Sequence, residues 1–224
     1  MKKNIFFLFS FVTVCAFGQA GNENISYSNG FFFMRANRPS NIEYTVDGSP
    51  YVNGKEYRKV AIDGYSKNVQ NLRYNAYEDE MEFIQNSEVY FANKEDGIVI
   101  KMPEINKTYQ AVKYVFNDKQ YFGYLVLLAP GAKFNFYKKE KVELLKGEKS
   151  PSAYGKDAND YFAKAKDLYL IGNKRVLDKF PKNTKEAIAL FSPVKKDVAQ
   201  FISREKINFS REEDMIKLVN YVNQ

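Results

Sequence analysis

The sequence predicts an α+β protein: an antiparallel meander sheet, curled or closed into a partial barrel, followed by a short C-terminal helical segment packed on it. Three observations predict it. Short apolar-polar alternating segments recur at roughly 8 to 12 residue spacing from Ile42 to Leu145. Asp47-Gly48, Asn53-Gly54 and Asp63-Gly64 punctuate them with pairs that tolerate positive φ. From Thr184 onward the apolar spacing lengthens to the helical period.

The first element is an address. Lys2 and Lys3 precede the apolar run Ile5 to Phe17, and Ala16 and Gly18 place small residues where a signal peptidase needs them, so residues 1–18 read as a signal peptide. Cys15, the single cysteine, would leave with it. Residues 19–41 read as a flexible leader rich in Asn, Ser and Gly, whose patch Phe31-Phe32-Phe33-Met34 is expected to form an early strand or dock on the core.

Residues 42–150 read as the antiparallel β domain. Ile42 to Val46 alternates and closes at Asp47-Gly48. Leu72 to Tyr77 and Glu80 to Ile84 flank Glu78-Asp79 as a hairpin, with Met81 and Phe83 on one strand face and Glu80 and Glu82 on the opposite, wet face. Val89-Tyr90-Phe91, Ile98-Val99-Ile100 and Tyr109 to Phe116 continue the series; Asn117-Asp118-Lys119 turns into Tyr121 to Leu128, and Pro130-Gly131 into Phe134 to Leu145. Leu125 to Leu128 is apolar on both faces, which places it centrally.

Residues 151–224 read as a C-terminal hairpin and helices packed on the sheet. Gly172-Asn173 turns the hairpin within Leu168 to Val176. Thr184 starts a short helix with Glu186 in its first turn. Ser192-Pro193 is expected to cap and open a second, striped by Val194, Val198, Phe201 and Ile202. Ser210 to Glu213 reads as a capping box for the last, whose stripe is Met215, Ile216, Val219 and Val222.

Composition narrows the chemistry. The chain has no histidine, and its one cysteine lies in the signal segment, so histidine-based nucleophilic catalysis, histidine-ligated zinc and thiol chemistry are excluded from the exported product. Neither a phosphate-binding glycine loop nor calcium-ligand spacing is present, and no cofactor is expected. The net charge is +7, distributed unevenly: residues 19–132 carry 12 basic and 14 acidic side chains, residues 133–224 carry 20 and 13. Lysines interrupted by acids, as in Lys138-Lys139-Glu140-Lys141, read as a solvated surface, and export argues against nucleic acid. No later run is long enough to span a bilayer as a helix, which leaves a peripheral membrane role open.

Glu78, Asp79, Glu80 and Glu82 form the densest carboxylate cluster, and the spacing of Glu80 and Glu82 on one strand face falls near that of a glycosidase pair. Alternating acids on a wet strand face are ordinary, however, and no tryptophan is present to stack a sugar. Arg73 and Asn75 share a strand face and are placed to pair with Glu80 or Glu82 across the hairpin. The candidate surface or binding residues are therefore Arg73, Asn75, Glu80 and Glu82, with a structural pairing favoured over ligand contact. The 17 Tyr and 19 Phe read chiefly as sheet packing, with an aromatic cleft for an apolar or glycan ligand as the alternative.

The segment Leu72 to Phe83 (LRYNAYEDEMEF), the turn Gly48-Ser49-Pro50-Tyr51 and the tail from Lys195 to Asn223 resemble a group of uncharacterised secreted or envelope proteins of Bacteroidetes. The resemblance implies export into a Gram-negative envelope, periplasmic or extracellular and with outer-membrane association open, and implies no reaction. The functional expectation is a non-enzymatic binding or assembly module whose partner is an envelope protein, a glycan or an apolar ligand. Two alternatives stand beside it: a lipid carrier in which the curled sheet forms a half-barrel and the helices a lid, and a carboxylate-dependent hydrolase of envelope polymers using Glu80 and Glu82.

Overall fold

A computed structural model describes residues 34–35, 46–65, 69–150, 155–173 and 175–224. The expected signal segment, most of the expected leader and all but Val46 of the expected strand Ile42 to Val46 lie outside them. The chain is α+β: among the described residues, thirteen strands form three sheets and are followed by three short helices.

The longest strands build the centre. β7 (Lys107–Phe116) and β8 (Lys119–Ala129) form one hairpin over the two-residue turn Asn117-Asp118, where both residues have positive φ (49° and 59°) and so match the twist of the flanking strands. β9 (Asn135–Lys139) pairs with β8, β12 (Leu168–Asn173) with β9, and β13 (Val176–Lys179) with β12, all antiparallel. Val176 of β13 then meets Val115 of β7 in parallel, and the Val115 amide donates to the Arg175 carbonyl, so five strands close into a partial barrel. Further back along that same edge of β7, opposite β8, the sheet continues through β6 (Val99–Met102) to β2 (Ala61–Ile62).

Strand periodicity divides the core in three. Val112, Tyr114, Leu125, Tyr137, Leu170 and Leu177 point into the barrel and fill it. A five-stranded barrel is too narrow to hold more than its own side chains, so the half-barrel cavity expected for a carrier is absent from this interior. The alternate residues Tyr109, Ala111, Tyr124 and Val126 face outward, against Leu72, Tyr74, Met81 and Phe83 of a second sheet. That sheet runs β1 (Met34–Arg35), β5 (Glu88–Ala92), β4 (Glu80–Gln85), β3 (Arg73–Asn75). Leu125 to Leu128 is apolar throughout because its strand has a core on each side.

The expected strand Phe134 to Leu145 is broken. At Glu140 and Lys141 the chain leaves the barrel, and β10 (Val142–Leu145) pairs with β11 (Tyr161–Lys164), a strand the sequence reading missed. The C-terminal hairpin is likewise set into the sheet instead of packed on it, so residue 150 is not a boundary of the β structure.

The helices cover β9 and β12 through Phe136, Ile171 and Phe180. α1 (Thr184–Phe191) starts as expected, capped by Asn183, whose side chain accepts from the Glu186 amide at 3.0 Å while Glu186 accepts from Asn183 and Lys182. Ser192 is the last residue of that helix's cap and opens nothing: α2 (Val198–Arg204) starts later, after Asp197, and Val194 is exposed. α3 (Glu212–Asn223) follows Arg211 and makes no side-chain cap bond, so the box at Ser210 does not form. Its stripe is realised through Met215, Leu218, Val219 and Val222.

Candidate functional site

The register pairs Arg73 with Glu82 and Asn75 with Glu80, so all four predicted residues share one face of the β3–β4 hairpin. That face is not wet. The segment carrying Tyr51 and Tyr57 folds over it, leaving Glu82 0% and Asn75 1% exposed. Glu82 accepts from Arg73 Nε at 2.7 Å, from the Tyr51 hydroxyl at 3.1 Å and from Asn75 Nδ2 at 2.7 Å. The Arg73 guanidinium lies between two rings, 4.0 Å from the Tyr51 centroid and 4.3 Å from that of Tyr57. Burial, reinforced by Glu82, raises the Tyr51 phenol, and burial pushes that of Tyr57 up to about 12.

The expected pairing across the hairpin is thus present for Arg73 and Asn75 with Glu82. Glu80 turns elsewhere, to Lys94 at 3.4 Å. For Asn75 and Glu82 the expectation of surface residues is overturned, since both oxygens of the Glu82 carboxylate are engaged beneath the two tyrosines; Arg73 and Glu80 are half-buried.

A second cluster repairs the barrel wall. Because the chain leaves at Glu140, β8 has no strand partner beside Tyr124 on its β9 edge, and side chains take its place: the Tyr124 amide donates to Asp79 at 3.2 Å and Lys139 Nζ donates to the Tyr124 carbonyl at 3.1 Å. Asp79 also accepts from the Tyr74 hydroxyl and pairs with Lys139 at 2.6 Å. Burial lowers the Lys139 ammonium and the Asp79 charge partly restores it. Gly123 leaves room for this, since a Cβ there would lie 2.3 Å from an Asp79 carboxylate oxygen. Gly123→Ala is therefore expected to cost about 1–3 kcal/mol by overpacking; urea denaturation measures it, and the loss should be much smaller in an Asp79→Ala background.

A third cluster joins sheet to helices. Glu140, 3% exposed, accepts from Lys107 at 2.6 Å and from the Tyr109 hydroxyl at 2.7 Å, with Lys138 at 4.0 Å. Lys138, 8% exposed, reaches Glu212 of α3 at 2.7 Å, and Tyr169 donates to the same carboxylate. Of the run Lys138 to Lys141 expected as solvated, Lys138 and Glu140 are instead buried and Lys139 half-buried, while Lys141 is exposed. The missed cue is their position directly after Phe136-Tyr137, where strand alternation carries charges into both cores.

Two grooves flank this junction. One of about 710 Å³ is lined by Lys101, Lys107, Lys138, Asp63 and Glu212, but its charges are largely neutralised by one another and by Glu140. The other, of about 560 Å³, runs between the end of the β12–β13 hairpin and the start of α3. Its floor is Leu168, Tyr169, Phe180, Pro181, Phe209 and Met215, and its rim carries Lys166, Lys179 and Lys182. Asp167 on this rim is held by Lys164 at 3.2 Å. The three rim lysines make no ion pair among the described residues, whereas the buried ammoniums of Lys138 and Lys139 are both paired. The groove thus sets an apolar floor beneath cations that lack an ion pair among the described residues. The sequence hinted at it only through the basic excess after residue 132. No protein-family model, no curated protein and no solved structure matches the chain, so the groove is judged on its own geometry.

Proposed function

We propose that the chain is an exported, non-enzymatic binding or assembly module of a cell envelope, and that the lysine-rimmed groove is where it engages its partner. The observation that carries this is the contrast in charge use: the carboxylates of Glu82, Glu140 and Asp79 are spent on holding the fold together, while Lys166, Lys179 and Lys182 make no ion pair among the described residues and stand around an apolar surface. The basic, apolar and small-residue succession at the start of the chain supports export, and the absence of histidine supports recognition over catalysis.

A photo-crosslinking residue placed at Ser210, beside the groove, tests this in native envelope. A discrete adduct at Ser210 that is absent for the same probe at Lys196 is expected. Equal labelling at both positions, or none at Ser210, overturns the assignment of the groove.

A further inference from the structure

Resting on the groove's assignment as the binding site, we infer that its occupant is a free long-chain fatty acid, carboxylate at the lysines and chain along the floor. The charge points to an anion: Lys166, Lys179 and Lys182 are exposed, lie on the rim of one depression and lack a counter-ion among the described residues. The neighbouring carboxylates do not supply one. Asp167 is engaged by Lys164 through Oδ2 while its Oδ1 is buried away from solvent without a hydrogen-bond partner, and Glu212 accepts from Lys138 and Tyr169.

The donor type favours a carboxylate over a phosphate. No arginine lines the groove, so the planar fork that grips a phosphate on two oxygens is missing, and ammonium groups on flexible stems act as point charges that a single carboxylate satisfies. Those stems also lie along apolar surface while their heads stay in water, extending the wall beside the chain.

The floor points to polymethylene. Leu168, Tyr169 and Phe209 are half-buried and present apolar surface above the core residues Phe180 and Met215, a lining that offers little to a sugar. About 560 Å³ lies within the range of pockets that enclose a single small ligand. The barrel interior, filled by Tyr114, Leu125, Tyr137 and Leu170, leaves this outer groove as the place for such a chain.

Displacement of a fluorescent anthroyloxy fatty acid from the mature protein tests the inference. Decanoate, myristate and palmitate should displace it with affinity rising by up to about fourfold per added methylene. Hexadecanol should bind at least about tenfold more weakly than palmitate, and the Lys179→Glu/Lys182→Glu variant should erase that difference. Lysophosphatidylcholine, a zwitterionic monoacyl lipid, should compete poorly. Both lysines are exposed, so an unchanged thermal melt is expected and separates lost binding from lost folding; Lys166→Gln gives a second, milder reading of the same charge. Equal affinity for acid and alcohol, indifference to the lysine substitutions, preference for the phospholipid, or no displacement by palmitate overturns the inference. A groove-specific adduct at Ser210 persisting alongside such a failure leaves the site standing with a different occupant.

Discussion

Arg73→Ala is expected to destabilise the fold by about 3–5 kcal/mol, the range for removing one partner of a buried ion pair. Glu82 is 0% exposed and takes its one cationic contact among the described residues from Arg73 Nε at 2.7 Å, so the substitution strands a carboxylate that Tyr51 and Asn75 alone must stabilise. It also empties the space between the Tyr51 and Tyr57 rings. Chemical denaturation should show the midpoint falling, and the double replacement Arg73→Met/Glu82→Met should recover much of the loss because it leaves no charge behind. An unchanged midpoint for Arg73→Ala would mean that the pair does not fasten the hairpin to its cover.

The second large effect is at alkaline pH. Burial pushes the phenols of Tyr57, Tyr114 and Tyr137 up to about 12 and raises those of Tyr51, Tyr74, Tyr109 and Tyr169 further still, with Asp79 adding to the effect on Tyr74 and Glu140 to that on Tyr109. A group whose folded value is raised keeps its proton longer in the folded state, so its contribution is complete below the unfolded value of 10.0 and is lost as pH rises through the folded one. Tyr114 and Tyr137, both buried, each stand to lose on the order of 1–3 kcal/mol in this way. Lys139 acts in the opposite sense: its lowered value burdens the fold at neutral pH and is relieved as the pH approaches 10.5, one group against many. Unfolding free energy, followed together with tyrosinate absorbance, should hold steady from neutrality to about pH 10 and fall steeply beyond it. A flat profile through pH 12 would show that these phenols are not sealed from solvent as described.

What the sequence made legible was local. Alternation located the β3–β4 and β7–β8 hairpins, Asp63-Gly64 and Asn117-Asp118 located turns, and the double-sided apolar run of Leu125 to Leu128 located the central strand. What it hid depends on segments distant in the chain. Glu82 looked wet because nothing near it announces that Tyr51 will lie on top, 31 residues away. Lys139 and Glu140 looked solvated because their partners, Asp79 and Tyr109, come from other strands. The caps at Ser192 and Ser210 failed for a related reason: the helix faces are decided by what Phe136, Ile171 and Phe180 need covered, and that packing outweighs the roughly 1 kcal/mol of a cap. Of the site, only the pairing of Arg73 and Asn75 with Glu82 could be read directly. The groove required folding to bring Lys166, Lys179 and Phe209 together.

The contact between Val115 and Val176 also sets an order of assembly. β7, β8 and β9 follow one another through short turns, so each closes a small loop at little entropic expense. β13 reaches β7 only after the chain has left the barrel, built β10 and β11, and come back. Contacts so distant in sequence form late. The fifth stave is set into a cylinder already standing, and with a single bridged pair on that side it is also the stave that loosens first.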